Sequence, residues 1–167
     1  RRELDAAITE EALKMVSEED ESKKSTVVFQ KEWHKGVVGI VASRLIESYY
    51  KPTIVLCEND GMATGSARSV KGFDVHDAID QCSHLLEQFG GHKYAAGLSL
   101  KVENVEAFRK RFEEVVSSTI TKEQQTRVIG IDGTLTSEDL KPSKQGDVFP
   151  KLYRIIEQFA PFGPGNM

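Results

Sequence analysis

Cysteine is scarce in this chain of 167 residues, with only Cys57 and Cys82, and neither belongs to a Cys-x-x-Cys pair or a metal spacing. That excludes a disulfide scaffold and a zinc ribbon; buried, inert thiols in a reducing compartment are expected instead. Long apolar runs are missing too. Nothing approaches the roughly 18 residues of a membrane helix, and the N-terminal "RRELDAAITEEALKMV" is a charged amphipathic pattern, not a signal peptide. A surplus of positive charge is also absent. The net charge of −4 argues against a surface coated to grip duplex DNA. The acid is uneven: residues 1–24 carry five basic and eight acidic side chains, residues 25–122 twelve of each, and residues 123–167 five and six. The balanced central segment has room for a local basic site.

Several catalytic signatures are missing as well. There is no G-x-x-x-x-G-K-[ST] and no G-x-G-x-x-G, which removes the nucleotide P-loop and the dinucleotide fingerprint. Ser66 and Ser69 lack the G-x-S-x-G turn of serine hydrolases. His76 and His84 stand eight residues apart, too far along one helix to share a metal. No acid cluster has a spacing useful for catalysis.

What remains is an ordinary globular composition, 39% hydrophobic and 29% charged, enough for one packed domain with a small appendage. Leu4, Ile8, Ala12 and Met15/Val16 mark one face of an opening helix, and "SEEDESKK" is a solvated charge run. Strands are predicted at 25–29, 53–57, 62–69, 95–102 and 127–135. The continuous apolar "TIVLC" fits a strand buried on both faces. Helical spacing joins Val38, Val41, Ala42, Leu45, Ile46 and Tyr49. It also joins Val75 to Phe89, with Asp74 as N-cap and Gly90 as stop, and Val105 to Val116, with Asn104 as cap. A last helix would use Val148, Leu152, Ile155, Ile156 and Phe159. The fold class is therefore α/β, a mixed β-sheet flanked by helices, with 53–57 and 62–69 antiparallel across a tight turn.

Three loops combine small residues with groups that can hold an anion. In "WHKGVVG" (33–39), His34 and Lys35 precede a helix start, and Gly36 and Gly39 let backbone approach. In "TGSARSVKG" (64–72), Arg68 lies between the hydroxyls of Ser66 and Ser69, which suits bidentate phosphate recognition. In "GGHKYAAG" (90–97), Gly90 and Gly91 can form a concavity of N–H groups, His92 can donate to a phosphate oxygen, and Ala95, Ala96 and Gly97 leave room. Each loop taken alone is equally a plain turn, an edge-strand arginine or a helix cap.

Together, "WHKGVVGIVASRLIESYYKPTIVL", "GSARSVKGFDVHDAI", "LLEQFGGHKYAAGLSL", "VENVEAFRKRF" and "FAPFGPGN" resemble one family over nearly the whole chain. It is the RecJ family of bacterial single-strand-specific DNA exonucleases, within the DHH phosphodiesterases. "GGHKYAAG" resembles the glycine-glycine-histidine motif of the DHH-associated domain, while "WHKGVVGIVASRL" and "PFGPGN" narrow the match. One departure is Ala67, where family members often carry glycine.

The resemblance implies a 5′→3′ exonuclease of DNA repair and recombination, cytoplasmic and bacterial, with a two-part active site. A DHH domain would bind two Mn²⁺ or Mg²⁺ ions; this chain has no Asp-His-His, so its own part would bind no metal and carry no catalytic residue of its own. Residues 1–24 would be the interdomain linker helix, 25–122 the DHH-associated substrate-binding domain, and 123–167 the start of an OB-fold. The chain is thus expected to be a fragment, inactive alone, whose partners are single-stranded DNA, the missing DHH domain and the rest of the OB-fold, with no membrane. Carried onto this sequence, Gly90, Gly91 and His92 would hold a phosphate, with His92 supporting the active site. Arg68, Ser66 and Ser69 would contact the strand near its 5′ end, and His34 and Gly36 would line the same cleft. Two alternatives stay open: a phosphodiesterase for short oligonucleotides or cyclic dinucleotides, and a non-catalytic nucleic-acid-binding module of the kind found in alanyl-tRNA synthetases.

Overall fold

A computed structural model describes residues 2–131, 133–142 and 148–163. The chain divides into two compact units, residues 1–127 and 128–167.

In the first unit the continuous apolar run 53–57 becomes part of β2 (Thr53–Asn59), with its first five residues buried. Alternation sends Ile54 and Leu56 to one side and Val55 and Cys57 to the other, into two separate hydrophobic clusters. β1 (Thr26–Gln30) runs parallel to β2, splitting Val27 and Val28 between the same clusters. β3 (Met62–Arg68) returns antiparallel through a two-residue turn. Both turn residues, Asp60 and Gly61, have positive φ (52° and 76°), as the hairpin twist requires. β4 (Gln88–His92) and β5 (Ala95–Lys101) complete a sheet of order β1-β2-β3-β5-β4. The parallel β1–β2 pair among antiparallel ones makes it the mixed sheet that the sequence predicted.

Each face has its own helical layer. α1 (Arg2–Ser17) and α2 (Val38–Tyr49) cover one, through Ile8, Ala12, Val16, Val38, Val41 and Leu45. The helix expected to be an interdomain linker is thus packed on the sheet unit: Trp33 Nε1 donates to Glu11 Oε2 at 2.8 Å, tying it to the loop ahead of α2. α3 (Val75–Asp80) and α4 (Val105–Thr119) cover the other face, where Phe108 and Phe112 stack at 5.8 Å, both fully buried. The two cysteines fall in different clusters on opposite faces, so they cannot bond to each other. Burial pushes the Cys82 thiol up to about 11, which keeps it protonated and unreactive.

Glu113 of α4 fixes the start of the sheet. Its carboxylate accepts from the Lys24 and Ser25 amides at 2.8 Å each, from Ser25 Oγ at 2.5 Å and from Ser117 Oγ at 2.7 Å. Burial opposes its ionisation, but these four donors outweigh it and hold the carboxyl below the ordinary glutamate range.

The structure departs from the sequence reading in four places. The helix expected from Asp74 to Phe89 lasts only to Asp80. Asp74 caps it, accepting from the Asp77 amide at 3.0 Å, but a 3-10 turn (Ser83–Leu85) follows and 88–92 is a strand. Gly90 is therefore a strand residue, not a helix stop; pairing with β5 overrides the helical spacing of Leu85, Leu86 and Phe89. Asn104 precedes α4 without capping it by its side chain, which reaches back to the Leu85 carbonyl at 3.5 Å. In the second unit, the described part of 127–135 is not a strand: Val128, Ile129 and Ile131 are exposed, and no partner strand pairs with them among the described residues. The last helix is α5 (Lys151–Glu157), beginning after Pro150, so Val148 lies ahead of it.

Two outcomes follow from this packing. Phe108→Ala empties a fully buried ring site and is expected to cost about 3–5 kcal/mol in a denaturation curve. Glu113 has a folded pKa below its unfolded one, so its stabilisation is complete above the unfolded value of about 4.3 and is lost as pH falls through the folded value. Glu113→Gln should therefore lower stability at neutral pH by about 1–3 kcal/mol and flatten the acid limb of a pH titration of unfolding. An unchanged acid limb would mean that the anchor contributes nothing.

Candidate nucleic-acid interface

The α1–α2 layer is narrower than the sheet. α2 packs on β2 and β3, and among the described residues of this unit no helix continues that layer over the same face of β5 and β4. Burial alternates along β5: Ala96, Leu98 and Leu100 are buried, while Ala95, Gly97 and Ser99 on the other side are not. Strand register sets the open face out in three rows across β3, β5 and β4: Arg68–Ala95–His92, Ser66–Gly97–Gly90 and Thr64–Ser99–Gln88. Two adjoining cavities lie over Arg68 and the second and third rows, of about 530 Å³ beside α2 and about 710 Å³ beside β4. The middle row has almost no side chain. A Cβ at Gly90 would meet nothing within 4 Å, one at Gly97 would meet only the Gly65 carbonyl at 3.9 Å, and neither glycine has a positive φ. Neither backbone shape nor packing requires glycine there, and the consequence of having it is a clear path across the sheet.

Arg68 lies on the floor of this trough. Its Nη1 donates to Ser66 Oγ at 2.7 Å and to the Ala67 carbonyl at 2.8 Å. Both acceptors are neutral, and Arg68 has no ion pair among the described residues. Accepting from the guanidinium leaves the Ser66 O–H free to donate to a further group. The helix leaves space for this arrangement: a Cβ at Gly39 would come within 2.9 Å of Arg68 Nη2 and 3.4 Å of Ser66 Oγ. The arginines of α4 differ, since Arg109 pairs with Glu106 and Arg111 with Glu114.

Both loop histidines adopt one local arrangement. His92 Nδ1 accepts from the Tyr94 amide at 3.3 Å, and His34 Nδ1 accepts from the Gly36 amide at 2.9 Å. An Nδ1 that accepts leaves the ring hydrogen on Nε2, so each imidazole presents a donor at its outer end.

Five of the eight residues singled out in the sequence therefore lie at this face or its rim: Ser66, Arg68, Gly90 and His92 in the rows, and Gly36 in the turn before α2, lining the smaller cavity; His34 stands in the same turn and lines neither cavity. The other two serve the loops behind it. Ser69 Oγ donates to the Phe73 carbonyl at 2.8 Å, closing the 69–73 loop. Gly91 pairs with Ala96 on the buried side, with φ +147° and room for no Cβ, which would fall 2.3 Å from the Ala95 carbonyl. Ala67, the departure from family pattern, also points away into the core, fully buried. The sequence reading missed Thr64, Ser99 and Gln88. Alternation along 62–69 and 95–102 was the available signal for the first two, but their row exists only once 88–92 is a strand.

Among the described residues, no group of three or more His, Cys, Asp or Glu side chains converges as a divalent cation needs. The described residues do not fit the Mn²⁺ or Mg²⁺ that the resemblance assigns to a DHH domain. No helix among the described residues is long and apolar enough to cross a membrane.

Residues 22–118 match the DHHA1 domain family. The chain is 39% identical over 142 residues to the single-stranded-DNA-specific exonuclease RecJ of Bacillus subtilis, covering 84% of this chain and 18% of that protein. It is 37% identical over 181 residues to the RecJ of Dickeya dadantii, covering 95% of this chain and 31% of that one. It thus spans under a third of the length of these two relatives. Among solved structures, Thermus thermophilus RecJ in complex with Mg²⁺ superposes with a TM-score of 0.77 at 28% identity, over 99% of this chain and 24% of that one. An exonuclease RecJ bound to manganese gives 0.61 at 30% identity, over 70% of this chain and 28% of that one. The chain belongs to the DHHA1 domain family, and the proteins it resembles over most of its length are RecJ single-stranded-DNA-specific exonucleases.

Proposed function

We propose that this chain is the strand-holding part of a RecJ-like, metal-dependent 5′→3′ exonuclease acting on single-stranded DNA. One observation carries the reading: the register that puts Ser66 and Arg68 of β3 and Gly90 and His92 of β4 on one open face, with only Gly97 between them in the middle row. An unpaired guanidinium, a hydroxyl free to donate and an imidazole donor suit phosphate oxygens, and the glycines let a sugar-phosphate strand approach the sheet. The relatives' names supply the substrate class. The catalytic ions belong, on this reading, to a DHH domain outside these residues. What the chain contributes is binding, orientation and charge at the phosphates.

Fluorescence anisotropy with 5′-phosphorylated single-stranded DNA, and duplex as control, tests this. Binding should favour the single strand and weaken with salt. Arg68→Ala and His92→Ala should each remove a charge-assisted contact and cost about 1.5–3 kcal/mol, roughly 10- to 150-fold in affinity. Gly39→Ala should weaken binding by displacing Arg68. The sharpest pair of variants is Gly90→Ala and Gly97→Ala. In strands, alanine replacing glycine should hold or raise stability by about 0.5–1 kcal/mol, while binding falls because the path is blocked. Binding unaffected by all five variants would overturn the reading. The pure chain should also show no nuclease activity with Mn²⁺; robust, EDTA-sensitive cleavage would contradict the division of labour.

A further inference from the structure

The third row, Thr64–Ser99–Gln88, has no part in the phosphate contacts described above, yet its chemistry is that of a binding surface. It sets two hydroxyls and a carboxamide side by side on an open sheet face. None of the three side chains makes a hydrogen bond to another described residue. Each is thus left with hydrogen-bonding capacity that no described side chain or backbone group uses. Thr64 is four residues from Arg68 on the same strand, about 14 Å at the usual strand rise.

Lys35 stands over the junction. It lines both cavities, together with Thr64 and Gly65, and it has no hydrogen-bond or ion-pair partner among the described residues. At the far end the exposed Glu87 lines the larger cavity and brings negative charge, so a run of phosphates would stop before it.

We infer that Lys35 and the Thr64–Ser99–Gln88 row form a second subsite, which holds a phosphate and sugar further along the strand than the one at Arg68. The trough then engages at least two phosphates of one chain, and its ligand is an oligonucleotide, not a single nucleotide. This rests on the strand-holding reading above. Lys35 supplies the charge and the neutral row supplies hydrogen bonds that tolerate any base.

The test compares labelled, 5′-phosphorylated pentathymidylate with thymidine 5′-monophosphate as competitor, for the wild-type chain and for Lys35→Ala, Thr64→Val, Gln88→Ala and Arg68→Ala. Lys35→Ala should weaken the oligonucleotide about tenfold and reduce the slope of log affinity against log salt by about 0.7, the loss of one single-strand phosphate contact. It should leave the mononucleotide within about twofold. Thr64→Val and Gln88→Ala should weaken the oligonucleotide by smaller factors without changing the slope, since they carry no charge. Arg68→Ala should weaken both ligands. If Arg68→Ala weakens binding but the other three change neither affinity nor slope, the second subsite is refuted and the strand-holding reading stands. If Lys35→Ala weakens both ligands equally, Lys35 belongs to the Arg68 site and the inference fails. If the wild-type chain binds no oligonucleotide, or Arg68→Ala has no effect, the underlying reading falls and the subsite with it.

Discussion

Burial of β2 on both faces is the constraint from which the rest of the first unit follows. A strand whose Ile54 and Leu56 face one way and Val55 and Cys57 the other needs a helical layer on each side. α3 and α4 supply one, α1 and α2 the other. The second layer ends over β3, so among the described residues of this unit no helix covers that face of β5 and β4. The trough is that uncovered part. Its wall is the edge of α2, its floor is strand backbone, and its polar side chains are the residues that alternation sends away from the α3–α4 core.

The same geometry explains how an acidic chain can hold a polyanion. Net charge acts over distances that salt screens beyond about 8–10 Å, whereas a guanidinium at contact distance does not depend on the total. Cations on α4 pair with neighbouring glutamates, so the run Arg109-Lys110-Arg111 is partly neutralised. Arg68 instead leans on a hydroxyl and a carbonyl, and its charge is left for a ligand. The two His-Lys turns repeat one device, in which an amide two residues on fixes the imidazole so that the outer nitrogen donates.

Much of this was legible in the sequence because it is local. The continuous apolar run named β2 as buried on both faces, Asp74 announced its helix, and the small-residue loops pointed to most of the ligand-facing groups. What failed depended on partners far along the chain. Leu85, Leu86 and Phe89 keep helical spacing, but 88–92 pairs with 95–99, and pairing decides. Conversely, 127–135 has the composition of a strand and no strand to pair with among the described residues. The rows were invisible for the same reason. Which residue of β3 stands beside which of β5 and β4 is a matter of register, so the loops could be named separately but not joined. Ser69 and Gly91 show the other side of this: each has the right chemistry, and alternation turns each away from the face.

The most direct measurement is a chemical-shift map of the ¹⁵N-labelled chain titrated with a 5′-phosphorylated oligothymidylate. The amides of Gly65, Ser66, Gly90, His92 and Gly97 should move together and saturate together, while those of Glu106 and Lys110 in α4, on the opposite layer, stay still. Shifts confined to the α4 side, with β3, β5 and β4 silent, would show that the open face of the sheet is not where the strand is held.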